Sequence, residues 1–182
     1  MAEQKSNQGK RIKELLSQLG SKEENTQIEA IKSLRMHGNE TAIEPLVQVL
    51  SKTTSENVKK EITELLNTIK SSKVPAEIAK CLVNEDYENV RQTLMVSIWS
   101  SGLDYRPYMS EIATASVQGE LMEAIECITI LENLEGGLDE EQIMDALVIF
   151  KSFLVDDKGA DDPKNEIIKE IVMLLQHMND TV

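Results

Sequence analysis

Apolar residues recur along this chain at three- and four-residue intervals, the spacing that places them on one face of an α-helix. The first stripe consists of Ile12, Leu15, Leu16 and Leu19, and it stops at Gly20. Comparable stripes continue almost to the C-terminus, and no alternation typical of β-strands competes with them. The pattern predicts ten helices of about 10–16 residues, joined by short turns.

The stripes repeat with a period of 32 residues. Leu34, Leu66 and Ile98 are separated by this interval, and the segment ENVK at 56–59 recurs as ENVR at 88–91. One pair of short helices cannot bury its apolar stripe alone, so repeats of this kind stack on one another. In the fourth pair we expect Leu121, Ile125 and Ile128 to continue the core series after a slip of one residue.

Two segments resemble a known family. Residues 42–50 (AIEPLVQVL) resemble the first helix of a HEAT repeat, especially the HEAT-like repeats of phycobilisome-lyase type, and residues 89–102 resemble the second helix. The resemblance is stronger in the first three pairs than in the last two. It implies an all-α fold, a right-handed α-solenoid (an armadillo-like superhelix) of about five HEAT-like helix pairs.

The same resemblance suggests an organisation of the chain and a role for one arginine. We expect a disordered segment at 1–7 and a single repeat domain at 8–182, with helix pairs at about 8–37, 40–70, 74–102, 105–134 and 139–178. Arg91 stands at the position of the HEAT-like arginine. The resemblance implies that Arg91 pairs with an acid of the preceding turn, Glu85 or Asp86, and thereby locks adjacent repeats.

Composition supports helices and places the charge unevenly. Only 3% of the 182 residues are aromatic, and 4 Pro and 8 Gly are too few turn residues for a β-sandwich of this length. Residues 1–70 carry 11 basic and 10 acidic side chains (net +1), whereas residues 71–182 carry 8 and 22 (net −14). The acidic part disfavours nucleic acid as a partner, because a phosphate backbone would be repelled, and favours a basic protein or peptide.

The sequence contains no set of residues that points to a reaction. Glycine-rich phosphate loops and the G-x-S-x-G and H-E-x-x-H motifs are absent, and the acidic turn at 155–164 (VDDKGADDPK) lacks the spacing of a calcium loop. Cys81 and Cys127 are not spaced like a metal pair. We therefore expect no catalytic residues, no metal and no cofactor.

The ends and the apolar runs of the chain bear on its location. Residues 1–11 are polar and do not resemble a signal peptide, and no apolar run approaches the length of about 18 residues that a membrane span needs. These features predict a cytoplasmic protein without a membrane partner.

One helix face changes character in the middle of the array. Opposite the core stripe, the helix at 55–70 presents only polar residues, namely Lys60, Thr63, Glu64 and Asn67. The equivalent positions one repeat later are largely apolar, and in HEAT-type stacks this second helix lines the concave surface. We predict a partner-binding groove there, formed by Gln92, Met95, Val96 and Trp99 with Glu123, Glu126 and Ile130 of the next repeat. The alternative, that a helix apolar all round is simply buried, stays open.

These observations favour a non-catalytic protein-binding or scaffold module that holds a protein or peptide segment on its concave face. One alternative is an enzyme or enzyme accessory of HEAT-like type, such as a chromophore lyase or a DNA glycosylase. The acidic charge opposes a glycosylase, which needs a basic groove, and nothing in the sequence argues for a pigment. Another alternative is a self-associating structural protein, and the oligomeric state is left open.

Overall fold

Ten α-helices make up most of residues 2–156 and 162–180, the part of the chain that the computed structural model describes. No strand occurs in these residues, and the predicted all-α fold is confirmed. Three 3₁₀ turns, Glu40–Ala42, Glu85–Val90 and Arg106–Tyr108, precede α3, α6 and α7. The helices are α1 (Ala2–Leu19), α2 (Glu24–His37), α3 (Ile43–Lys52), α4 (Glu56–Thr68), α5 (Val74–Leu82), α6 (Arg91–Ser101), α7 (Met109–Gln118), α8 (Leu121–Glu132), α9 (Glu140–Asp156) and α10 (Pro163–Asp180).

The helices form two layers. Each odd-numbered helix packs on the next odd-numbered helix, and each even-numbered helix on the next even-numbered one. The two helices of every pair also pack on each other and so close the core between the layers. This arrangement is the α-solenoid that the repeat pattern predicts.

The period of 32 residues marks core positions in the first three pairs. Leu34, Leu66 and Ile98 are all buried, and so are Ile62 and Leu94, which are also 32 residues apart. Burying such side chains is what holds consecutive pairs together, because each contributes to the interface with a neighbouring repeat.

The fourth pair slips by one residue, but it buries other side chains than the predicted ones. In α8 the buried side chains include Ala124, Cys127 and Leu131, whereas the expected core residues Leu121, Ile125 and Ile128 are only half-buried. The buried set lies 33 residues after the buried Arg91, Leu94 and Ile98, so the register moves one residue later than the period of 32. The sequence of α8 (LMEAIECITILE) is apolar on most of its circumference, and spacing alone therefore does not identify its core face.

Four of the odd-numbered helices are capped at their C-terminal ends by a side chain from another part of the chain. The last carbonyls of a helix lack intrahelical donors and carry the negative end of the helix dipole. In each case a side chain from a later element donates to such a carbonyl: Gln27 Nε2 to Leu19 O (3.0 Å), Asn89 Nδ2 to Ser51 O (2.8 Å), Arg91 Nε to Leu82 O (3.1 Å) and Lys164 Nζ to Val117 O (2.7 Å).

Arg91 therefore does not act as the family resemblance implies. Within the described residues no ion pair joins it to Glu85 or Asp86, both of which are exposed, and the buried guanidinium donates to the Leu82 carbonyl at the end of α5. Arg91 still connects the two helices of its own pair. The guanidinium donates to a helix-end carbonyl that has no intrahelical donor, and this contact requires no second buried charge.

We expect Arg91→Met to lower the free energy of unfolding by about 1.5–3 kcal/mol, because the Leu82 carbonyl loses a charged donor in a buried place. Methionine keeps an unbranched apolar stem in the same space. Urea denaturation followed by circular dichroism measures the change. The control variant, Glu85→Gln with Asp86→Asn, should stay within about 0.5 kcal/mol of wild type. An equally large loss in that control would restore the salt-bridge interpretation.

Two further predictions concern the N-terminal segment and the acidic turn near the C-terminus. The backbone of α1 is helical from Ala2, within the segment 1–7 for which we predict disorder, and its first buried side chain among residues 9–19 is Ile12. The boundary of the repeat domain stays a prediction. Half of the acidic turn at 155–164, residues 157–161, lies outside the described residues. In the part that is described, no helix is both long and apolar enough to cross a bilayer.

Candidate functional site

Trp99, the only tryptophan, lies on the outer side of α6. The core side of this helix carries Leu94 and Ile98, and Trp99 projects away from them with 38% of its surface exposed. Its indole Nε1 donates to Glu126 Oε2 of α8 at 2.9 Å. The indole is thus held against the neighbouring even-numbered helix while part of it faces solvent.

Two further predicted residues share this side of α6. Gln92 and Val96 precede Trp99 by seven and three residues, which puts all three on one helix face, and both are half-buried. Together with Glu126 they form what we call the Trp99 face: Gln92, Val96, Trp99 and Glu126. That these residues bind a partner stays a prediction.

Met95 and Ile130 do not belong to this surface. Met95 is 0% exposed and Ile130 is 1% exposed, so the alternative of burial is correct for these two. The reason is that α6 contacts α4, α5 and α8. A helix in the middle of a two-layer stack therefore buries a wider arc than the stripe facing its own partner.

Glu123 is also placed differently from the prediction. Its side chain is only 9% exposed, and its carboxylate Oε2 accepts a hydrogen bond from the backbone nitrogen of Glu120 at 2.9 Å. The Glu120 side chain completes the reciprocal pair, so the two residues form a capping box at the start of α8. Gly119 leaves room for this arrangement, since a Cβ there would stand 2.7 Å from Glu123 Cβ. Glu123 is therefore a helix cap and not a groove residue.

Beside the Trp99 face lies a cleft that the sequence did not suggest. It opens between the α6–α7 connection (residues 102–108) and the α8–α9 connection (residues 133–139) and has a volume of about 340 Å³. We call it the loop cleft. Trp99 is part of its wall, so the cleft and the Trp99 face are continuous. Its apolar lining consists of Ile98, Trp99, Leu103, Tyr105, Ile130 and Leu134, and its charged lining of Asp104, Arg106 and Glu135.

An arginine braces the two connections that form the loop cleft. Arg106 binds the Asp104 carboxylate through Nε (2.8 Å) and Nη2 (2.9 Å), and its Nη1 donates to Gly137 O (3.4 Å). These bonds from Arg106 lower the pKa of Asp104 and raise the pKa of Arg106. Gly136, with φ +87°, permits the approach, since a Cβ at this residue would lie 3.0 Å from Arg106 Nη1. Both charges of the brace thus compensate each other.

The repeat in the sequence carries a signal that these two connections lie next to each other. Gly102 and Gly136 end consecutive even-numbered helices or follow them closely, and both have positive φ. In a solenoid, connections at equivalent places of consecutive repeats lie side by side on one edge. The second connection contains the segment EGGLD at 135–139, in which Gly136 and Gly137 both have positive φ.

The surroundings of the site are acidic. No basic residue occurs between Arg106 and Lys151, whereas ten acids do. Among the described residues, no ion pair involves an acid of this stretch, while most ion pairs lie in the first 80 residues. The negative charge around the Trp99 face is therefore available to a partner, although salt screens it beyond roughly 8 Å at physiological ionic strength.

Both cysteines are buried free thiols whose pKa values rise to about 12. Burial is the main cause in each; a hydrogen bond with Ser116 partly opposes it at Cys127. At pH 8 a pKa of about 12 leaves a thiolate fraction on the order of 10⁻⁴. Neither thiol is suited to act as a nucleophile.

We expect neither Cys81 nor Cys127 to react with Ellman's reagent at pH 8 in the native protein, and both to react once urea unfolds it. The same raised pKa values have a consequence for stability. The folded state holds these protons more tightly than the unfolded state, so their contribution is complete below pH 9 and is lost as the pH rises towards 12. Rapid labelling of either thiol without denaturant would contradict the burial of that residue.

A comparison with known protein families finds a match in the first half of the chain. The family model described as HEAT repeats matches residues 12–98, which run from α1 to within α6. No curated protein and no solved structure gives a significant match. The finer resemblance to the phycobilisome-lyase type stays a prediction. The matched segment ends one residue before Trp99, so most of the loop cleft lies in the part of the solenoid that follows it.

Proposed function

Because residues 12–98 belong to the HEAT repeat family, we propose that the chain is a non-catalytic protein-binding module that holds a basic segment of a partner on its Trp99 face. HEAT repeats are commonly scaffolds for protein interactions and are typically not enzymes. We extend both properties to this chain. A cytoplasmic location, inferred from the sequence, is part of the same proposal.

The observation that carries the proposal is the exposed, hydrogen-bonded indole of Trp99. Tryptophan is enriched at interface hot spots because it offers a large, rigid contact area and one donor. Here the ring is fixed by Glu126 of the next repeat and is adjacent to the loop cleft. A partner would therefore meet a preorganised aromatic surface and would lose little entropy in ordering it.

Charge supports a basic partner. The Trp99 face contains Glu126, and the stretch 107–150 around it carries acids without a compensating basic residue. Complementary charge speeds association and excludes acidic competitors. The even-numbered helices form the layer to which this face belongs, and we propose that a partner segment lies along that layer across α6 and α8.

The test is a selection of peptides from a random library displayed on phage, with the full chain immobilised. We expect the enriched peptides to be rich in Lys and Arg. A labelled enriched peptide is then titrated by fluorescence anisotropy. Trp99→Ala should weaken binding on the order of thirty-fold, the equivalent of about 2 kcal/mol for an interface hot spot. Binding should also weaken with added salt, because the attraction is partly electrostatic.

Matched charge variants separate a local role from net charge. Glu126→Gln removes a charge from the Trp99 face, and Glu141→Gln removes the same charge from an exposed position of α9. Only the first should weaken the peptide. Absence of any enriched peptide, or enriched peptides indifferent to Trp99→Ala, would refute the proposal. Light scattering on the same sample should give a mass of 20.4 kDa; twice that mass would favour self-association instead.

A further inference from the structure

We propose that the loop cleft receives an arginine side chain of the bound segment. The inference rests on the proposed protein-binding role and deepens it, because it assigns a residue type to one pocket of the surface. It concerns the space between the 102–108 and 133–139 connections, which begins where the Trp99 face ends. Of the residues that line the loop cleft, only Ile98 belongs to the segment that matches the HEAT family model.

The size of the loop cleft fits one long side chain. Its volume of about 340 Å³ is at the lower end of the range of about 300–1,000 Å³ found for ligand pockets. It is also open to solvent at the connections, because Gly102, Asp104, Glu135 and Gly136 are all exposed. A side chain from outside can therefore enter without a helix having to move.

The lining suits a side chain that is apolar along its stem and charged at its tip. Leu103 and Leu134 are half-buried and provide apolar surface beside the indole of Trp99. The methylene stem of arginine can bury against such a surface while its head stays near water. A guanidinium also stacks on an indole face, which carries the negative part of the ring quadrupole.

The charge of the loop cleft selects a cation. Arg106, the one basic residue of the lining, is already neutralised by the bidentate contact with Asp104. Glu135 remains as an exposed carboxylate that makes no ion pair among the described residues, and Glu126 accepts the hydrogen bond of the indole. An incoming carboxylate would be repelled, whereas a guanidinium would find an acceptor. Its planar fork matches a carboxylate better than the ammonium of lysine does.

The sole tryptophan provides a direct test by nuclear magnetic resonance. The indole N–H of Trp99 gives a single signal in the ¹⁵N-labelled full chain, and the probe is Nα-acetyl-arginine methylamide. We expect a saturable shift of the Trp99 indole signal together with the amide signals of Gly102 and Gly136. The citrulline analogue has nearly the same shape without the charge, and it should bind at least about tenfold more weakly, since charge-assisted bonds are lost.

Two variants with the same change of charge complete the test. Glu135→Gln should reduce the arginine-induced shift severalfold, and Glu141→Gln should leave it as in wild type. Equal shifts with arginine and citrulline, or an arginine shift unaffected by Glu135→Gln, would overturn the assignment. The outcome is independent of the peptide selection. Peptide binding without an arginine shift would overturn only the inference. An arginine shift without any bound peptide would refute the proposed function and would leave the loop cleft as a site for arginine alone.

Discussion

Met95→Ala is expected to reduce the free energy of unfolding by about 2–5 kcal/mol. The side chain is 0% exposed, and α6 contacts α4, α5 and α8, so the surrounding helices cannot collapse fully into the space that the truncation leaves. The cost then includes both the lost transfer of apolar atoms and the cavity. Urea denaturation followed by circular dichroism gives the difference from wild type.

Gln92→Ala is the matched control on the same helix. Gln92 is half-buried on the outer side of α6, and alanine has a higher helix propensity than glutamine, so the change should stay within about 0.5 kcal/mol. Similar small effects for both variants would mean that Met95 is accessible, as the groove prediction had it. Comparing the two variants therefore shows whether the side chain of Met95 belongs to the core or to the same surface as Gln92.

Lys164→Met is expected to cost about 2–4 kcal/mol. Lys164 is 8% exposed, its Nζ donates to the carbonyls of Val117 (2.7 Å) and Gly119 (2.5 Å), and it lies 4.7 Å from the centre of the Phe153 ring. Methionine retains the apolar stem but leaves the end of α7 without these charged donors. Because α10 is thereby attached to α7 across two repeats, the loss should be largest for the C-terminal end of the solenoid.

Lys169→Met serves as the control on the same helix. Lys169 is exposed and pairs with Glu166 three residues earlier (2.6 Å), a surface contact that contributes only a few tenths of a kcal/mol. Hydrogen exchange on both variants adds spatial detail. Increased exchange at the end of α7 in Lys164→Met alone is expected. Equal stability of the two variants would show that the carbonyl contacts contribute nothing.

The stacked helices support the Trp99 face and the loop cleft. The matched HEAT segment contains most of the first two helix pairs and most of α6, and the Trp99 face extends from Gln92 and Val96 within it to Trp99 and Glu126 beyond it. The Arg91 contact attaches the end of α5 to α6, and the Lys164 contact attaches the end of α7 to α10. A rigid base of this kind allows a surface of few residues to keep its shape before a partner arrives.

The helices, the repeat and the all-α solenoid followed from the sequence alone. Their signals are local: apolar spacing, Gly20 and Gly102 as stops, and a 32-residue period that recurs at Leu34, Leu66 and Ile98. Such signals depend on neighbours three or four residues away and on the similarity of one repeat to the next. They survive without knowledge of the tertiary structure.

The core face of α8 and the status of Met95 were decided only by the tertiary structure. Both helices are apolar on several sides, so their own sequences allow more than one orientation. Burial was settled by neighbours from other repeats, which surround α6 on three sides. Helical spacing describes one helix, whereas burial depends on how many other helices pack against it.

Two charged side chains bind partners that the spacing of residues in the sequence does not predict. Arg91 and Lys164 bind backbone carbonyls at the ends of other helices, and any residue type can offer such an acceptor, so the sequence carries no mark of it. The loop cleft also depends on tertiary structure, because it forms between two connections about one repeat apart and includes the contact of Arg106 with Asp104. The positions of the helices are therefore determined by local sequence. The contacts between atoms that are distant in the chain depend on the tertiary structure, because only the stacking of the helices brings these atoms together.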